Sequence, residues 1–139
     1  MSLDHIRSRI NHLAKKIKSP RDYLPTYETP RGDGHPSIKV DGYVCHIVYG
    51  ERGIEFERKT VSDIEDLLYY VFDDVTHLMA SDYELRNRNE NEDFRRLLFR
   101  KQIELMGRIS EEYAKKLERD IGRILKVAPY VKPRDFGPN

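Results

Sequence analysis

A single cysteine, Cys45, occurs among 139 residues, so no internal disulfide can form and a buried core has to hold the fold. Its place in an apolar strand segment predicts a buried, inert thiol. Net charge is equally scarce: 25 Lys and Arg against 24 Asp and Glu leave a formal +1. Without a dominant sign the molecule has no global field to gather nucleic acid or an anionic membrane. No apolar run approaches the ~20 residues of a spanning helix, and no charged-then-apolar signal peptide opens the chain. These absences predict a cytoplasmic protein with neither membrane nor nucleic acid as a partner. Internal repeats and low-complexity tracts are also missing. So are GxSxG, the P-loop, GxGxxG and HExxH. Cys45 and His46 are neighbours on a strand, where successive side chains point to opposite faces, so they form no catalytic dyad. Gly32-Asp33-Gly34-His35 lacks the strand–turn–helix setting of a phosphate loop. The expectation is a protein that binds a partner and uses no cofactor.

What is present is a polar but globular balance, 35% charged and 38% hydrophobic, with the apolar residues in periodic segments. One domain over 1–139 is expected. Leu3, Ile6, Ile10, Leu13 and Ile17 step by three and four and predict a helix over 3–18, ended by Ser19-Pro20. Residues 20–36 hold four prolines and read as an ordered loop or an extended arm, with Tyr23, Leu24 and Tyr27 available to pin it. A three-stranded antiparallel meander follows. Asp41-Gly42 marks the first hairpin and predicts positive φ at both central positions; Gly50 to Gly53 supplies the second reversal. In Ile54 to Arg58 the alternation assigns Ile54 and Phe56 to the packed face. Three C-terminal helices complete an α+β fold, packed on one sheet face. Ser62-Asp-Ile-Glu65 reads as a capping box opening a helix to about residue 88. A third helix spans 93–108. Gly107 then Ser110-Glu111-Glu112 marks a stop and a new cap, followed by the stripe Tyr113, Leu117, Ile121, Ile124. The proline-rich tail, 129–139, is expected to fray.

Charge is segregated by element. From Asp63 to Leu85 there are seven acidic residues and no lysine or arginine, whereas 86–139 carries fourteen basic residues against nine acidic. At about 100° per residue, Ile64, Leu67, Leu68, Val71, Val75, Leu78 and Met79 gather on one side of the helix. Asp66, Tyr70, Asp73, Asp74, His77 and Glu84 gather on the other. Three readings stay open: a solvated surface, an anionic docking stripe anchored by Tyr70 for a basic partner, or charge matching to the basic helix that follows. A homodimer formed through the 63–88 helix is a further possibility.

Asp82 falls among the apolar positions, where a bare carboxylate would be costly to bury. Either the helix breaks near Ser81, or a cation from Arg95 or Arg96 holds it, the favoured reading. Asp73, Asp74 and His77 at i, i+1 and i+4 raise the alternative of a small metal-dependent hydrolase or nuclease. That needs a second ligand segment, and neither His35 nor His46 has a recognisable spacing. No metal site is assigned.

From Gly53 to Arg123 the sequence resembles the Immunity protein 63 family of bacterial polymorphic-toxin systems. The resemblance is carried by Ile54-Glu55-Phe56-Glu57-Arg58, Leu67-Leu68-Tyr69-Tyr70-Val71-Phe72, Asp74-Val75-Thr76 and Met79-Ala80. It continues through Tyr83-Glu84-Leu85, Arg88, Asp93-Phe94-Arg95-Arg96-Leu97-Leu98-Phe99 and Gln102-Ile103-Glu104-Leu105. It implies a non-enzymatic protein that binds and neutralises a cognate toxin. It also implies that Tyr83, Glu84, Arg88, Asp93, Arg95 and Arg96 form a polar network at the turn between two helices. The resemblance lends the docking stripe no support, so the stripe stands on the residues alone.

Overall fold

The structure, a computed structural model, describes residues 1–132. It is α+β, with four helices and a four-stranded mixed sheet. In chain order the elements are α1 (Leu3–Ile17), a single 3-10 turn (Arg21–Tyr23), β1 (Thr26–Tyr27), β2 (Ser37–Asp41), β3 (Val44–Glu51) and β4 (Ile54–Val61). Helices α2 (Ile64–Arg86), α3 (Phe94–Ile109) and α4 (Glu111–Val127) follow. The chain divides into two compact units, Met1–Val71 and Phe72 onward, the division falling within α2.

In the first unit α1 opens on Ser2, whose hydroxyl accepts from the His5 amide at 3.3 Å, and buries Ile6, Ile10, Leu13, Ala14 and Ile17. It stops where Lys18 turns left-handed at φ 53°, so that the Ser19 amide reaches back to the Ala14 carbonyl at 3.1 Å. The proline-rich stretch is an ordered loop. Thr26–Tyr27 adds to β2 as a parallel strand, which makes the expected three-stranded meander four-stranded and mixed. Beyond it, Asp33 bridges to Glu51, and the Gly34 amide donates to the Gly50 carbonyl at 2.9 Å.

The first hairpin differs in detail from the sequence expectation, and the second reversal falls where expected. Asp41 pairs with Val44, so the first loop is Gly42-Tyr43, with positive φ at Gly42 and not at Tyr43. That is the pattern of a turn needing glycine only at its first central position. The second loop, Arg52-Gly53, has positive φ at both residues, 51° and 82°, and takes the geometry expected of the first. The packed side of the sheet carries Ile38, Cys45 and Ile47, all 0% exposed. Opposite Ile47 and Cys45 stand Lys59 and Val61. Ile54 and Phe56 are therefore not core residues: they are 72% and 62% exposed. The register slips between Tyr49 and Gly50, where Phe56 is the extra residue of a bulge, and alternation cannot be carried through it.

Asp63, not Ser62, caps α2: its carboxylate accepts from the Glu65 amide at 3.0 Å and its carbonyl from the Leu67 amide. In the second unit α3 runs through Gly107 to Ile109. Ser110 then ends it and opens α4, its hydroxyl accepting from the Tyr113 amide at 3.2 Å. On α4, Leu117 and Ile121 are buried while Ile124 is 48% exposed.

A left-handed conformation at Arg52 is one that asparagine tolerates better than a long side chain. Arg52→Asn should raise stability by about 0.5–1 kcal/mol, read as a higher urea midpoint. An unchanged or lower midpoint would contradict the turn assignment.

Candidate functional site

α2 carries the acidic residues singled out above, and burial sorts them. In the first unit Asp66 is exposed. Tyr70 is half-buried, its ring edge-on to Tyr69 at 5.8 Å and beneath the Lys59 ammonium at 5.0 Å. Lys59 also lies 5.5 Å from the ring of Tyr49, so a cation from β4 shares two aromatic faces. Tyr70 is thus partly engaged by its own sheet.

In the second unit His77 is exposed, while Asp73 and Asp74 are half-buried. The Gln102 side-chain amide, from α3, donates to the Asp73 carboxylate at 2.9 Å, to the Asp73 carbonyl at 3.1 Å and to the Thr76 hydroxyl at 3.3 Å. Thr76 in turn donates to the Phe72 carbonyl at 2.6 Å. Gln102 and Thr76, 2% and 0% exposed, bolt α3 to α2, a role that a lone glutamine in an amphipathic pattern does not announce. Glu84 departs from expectation. The wheel set it on the outer side, yet it is 2% exposed and grips Arg88 through two bonds of 3.0 and 2.8 Å. The hydrogen-bonding Arg88 guanidinium holds the Glu84 carboxyl below its usual range, against the opposing effect of burial.

Asp82 is half-buried, and α2 continues helical through Ser81. Arg95 and Arg96, the cations expected to meet it, also have other contacts. Arg95 belongs to Asp93, and the Arg96 guanidinium stacks 4.1 Å over the Tyr130 ring. Three clusters are seen around the helix turn. Glu84–Arg88 closes α2, Lys101 sits 4.5 Å over Tyr83, and Asp93 organises the start of α3.

Asp93 is a heavily bonded carboxylate. It is 2% exposed and accepts from the Arg95 amide at 3.0 Å, from Arg95 Nε at 3.2 Å and Nη2 at 2.9 Å, and from the Val131 amide at 3.0 Å. Arg95 also donates to the carbonyls of Ala128 and Pro129, both at 2.8 Å. Residues 128–131 are thereby strapped to the head of α3, and the expected fraying from Pro129 does not begin there. The rest of that tail, 133–139, lies outside the described residues.

The described residues contain no group of three or more His, Cys, Asp and Glu able to hold a metal ion, so the Asp73, Asp74, His77 reading gains no further ligand there. His35 bonds the Leu24 carbonyl at 2.7 Å and His46 the Thr60 hydroxyl at 2.8 Å. Cys45 is fully buried, and burial pushes its thiol up to about 11.

The residues assembled here lie within or close to a recognised segment: the family model described as Immunity protein 63 matches residues 41–123. The chain belongs to the Immunity protein 63 family. Neither the curated proteins nor the solved structures give a match. The match takes in β3, β4, α2, α3 and most of α4, and so includes the Glu84–Arg88 and Asp93–Arg95 pairs. It leaves out α1 and the loop that follows. In this immunity protein no helix among the described residues is long and apolar enough to cross a membrane.

Asp93→Asn keeps the side chain's shape but removes the charge that balances Arg95. It should destabilise the protein by about 3 kcal/mol, measured by urea unfolding at neutral pH. The hydrogen bonds from Arg95 hold the native Asp93 carboxyl well below the ordinary carboxylate range. The unfolded chain therefore takes up this proton first, and the stabilisation is complete above about pH 4 and lost as pH falls from there toward the native value. The variant's deficit should shrink over that acid range. A deficit that is independent of pH would contradict the assignment.

Proposed function

We propose that this chain binds and neutralises a cognate toxin by direct protein–protein contact, with the acidic outer side of α2 as the contacting surface. Family membership carries the first part. The second rests on a helix with no lysine or arginine between Asp63 and Leu85, on which Asp66 and His77 remain exposed. An anionic surface of this kind steers a basic partner into encounter and penalises partners of like charge. A toxin that acts on nucleic acid has such a basic surface, and the acidic helix would then mimic its substrate's charge. Glu84 drops out of the surface because it is buried, and Asp73 is partly committed to Gln102.

A second reading of the surface has its own observation. Ile54 and Phe56 on β4 are large, apolar and exposed, with Glu55, Glu57 and Arg58 among them. Exposed apolar side chains rimmed by charge are a common feature of docking surfaces.

If the gene immediately upstream encodes a toxin domain, coexpression with it should restore growth, and the two proteins should copurify. Failure of both would sink direct neutralisation. Asp66→Lys, testing the first unit, and Asp74→Lys, testing the second, should each weaken capture about tenfold or more and flatten its salt dependence. If both reversals leave capture intact while Ile54→Ser with Phe56→Ser abolishes it at every salt concentration, the surface is β4.

A further inference from the structure

Several cations of this protein are matched to carboxylates. Arg9 meets Glu65, Arg31 meets Asp33, Arg58 meets Glu55, Arg88 meets Glu84, Arg95 meets Asp93, and Lys101 and Arg108 share Glu104. In one region of the first unit several cations gather together. Beside the C-terminal half of α1, facing the loop that carries the 3-10 turn and β1, is a cleft of about 760 Å³. Arg7, Lys15, Lys18 and Arg21 line it, and no aspartate or glutamate does. None of these four cations forms an ion pair among the described residues.

Part of this has an ordinary explanation. Lys15 and Lys18 stand at the end of a helix, where cations offset the partial negative charge of the last carbonyls. Arg7 is two turns earlier and Arg21 lies beyond the helix, so that effect covers neither. Lys18 also holds φ 53°, a conformation in which glycine would be relaxed, so a long cationic side chain is kept at a position that disfavours it. The wall adds a polar group that lacks a partner. The Tyr27 hydroxyl is shielded from solvent, yet no protein atom hydrogen-bonds it. Burial pushes its pKa up to about 12, with Arg7 opposing, so at neutral pH it is a protonated donor. The Arg7 guanidinium lies 4.6 Å over the same ring, with its N–H edges available to a ligand.

The cleft's dimensions suit a small molecule, within the roughly 300–1,000 Å³ of such sites. Four cations exceed what one carboxylate or one orthophosphate can neutralise, which favours several linked phosphates. Ala14, Leu24 and Pro25, the first and last buried, supply an apolar wall beside the Tyr27 ring for a flat, weakly polar group. We propose that this cleft is a binding site for a nucleoside di- or triphosphate, with the phosphates among Arg7, Lys15, Lys18 and Arg21 and the base against Leu24, Pro25 and Tyr27. The site lies wholly outside the matched segment 41–123.

Isothermal titration of the full chain with adenosine triphosphate tests it, with tripolyphosphate and orthophosphate as comparison probes. Saturable one-to-one binding is expected, weakening with salt, with tripolyphosphate and orthophosphate each bound about tenfold or more weakly than the nucleotide. Lys15→Gln with Arg21→Gln alters only exposed side chains, so it should melt like the parent while losing about tenfold or more in affinity. Tyr27→Phe should weaken binding about threefold or more if the buried hydroxyl meets the ligand. No saturable binding at millimolar nucleotide, or equal binding by the folded double variant, would overturn the site. Tripolyphosphate bound as tightly as the nucleotide would overturn the nucleotide assignment.

Discussion

Asp93 accepts hydrogen bonds from the first turn of α3, from the side chain of Arg95 and from the backbone of Val131, while Arg95 ties down the carbonyls of Ala128 and Pro129. A buried carboxylate is tolerable only when its charge is balanced and its lone pairs are occupied, and here both conditions are met by groups from two distant parts of the chain. The second unit depends on that pairing. It fixes where α3 begins and returns the chain beyond α4 to that point. With residues 128–131 in place, Tyr130 comes under Arg96 and within 6.4 Å of Phe99. The N-cap of α3 is therefore also the anchor of a C-terminal strap.

The two units manage polar groups differently. In the second, buried polar side chains pair with one another: Gln102 with Asp73 and Thr76, Glu84 with Arg88, Asp93 with Arg95. Such networks narrow the arrangements a helical unit can adopt, because each misplacement strands a buried donor or acceptor. In the first, the core is almost wholly apolar, drawn from α1, β2, β3 and the start of α2, and unmatched charge is left on the outside. The cleft beside α1 and the exposed strand β4 are the two consequences. Membership of the Immunity protein 63 family fits a stable scaffold that presents surfaces and does not require a catalytic cluster.

Much of the fold was legible because local chemistry is strong here. The stripe of α1, the break at Ser110 and the existence of both hairpins follow from periodicity, caps and turn residues, and each stands within a residue or two of its expected place. Misreadings arose wherever a second segment intervened. Ile54 and Phe56 alternate as core residues should, but the bulge opposite Tyr49 and Gly50 breaks the period that the inference relied on. Glu84 sits on the polar side of the wheel, but a wheel knows nothing of what packs beside it. Thr26–Tyr27 is too short to signal a strand and becomes one only by pairing with β2.

The sequence by itself determined the α+β class, the number and order of the helices, the inert cysteine and the acidic stretch of α2. These depend on interactions between residues a few positions apart, whose energetics the chain carries locally. Only the tertiary structure decided which of the acids are still exposed, that Asp93 reaches Val131, and that Arg7 and Arg21 line one cleft. Those outcomes depend on what each side chain meets from distant parts of the chain, as Asp93 meets Val131 across 38 positions. Burial and electrostatics are properties of that environment, not of the residue.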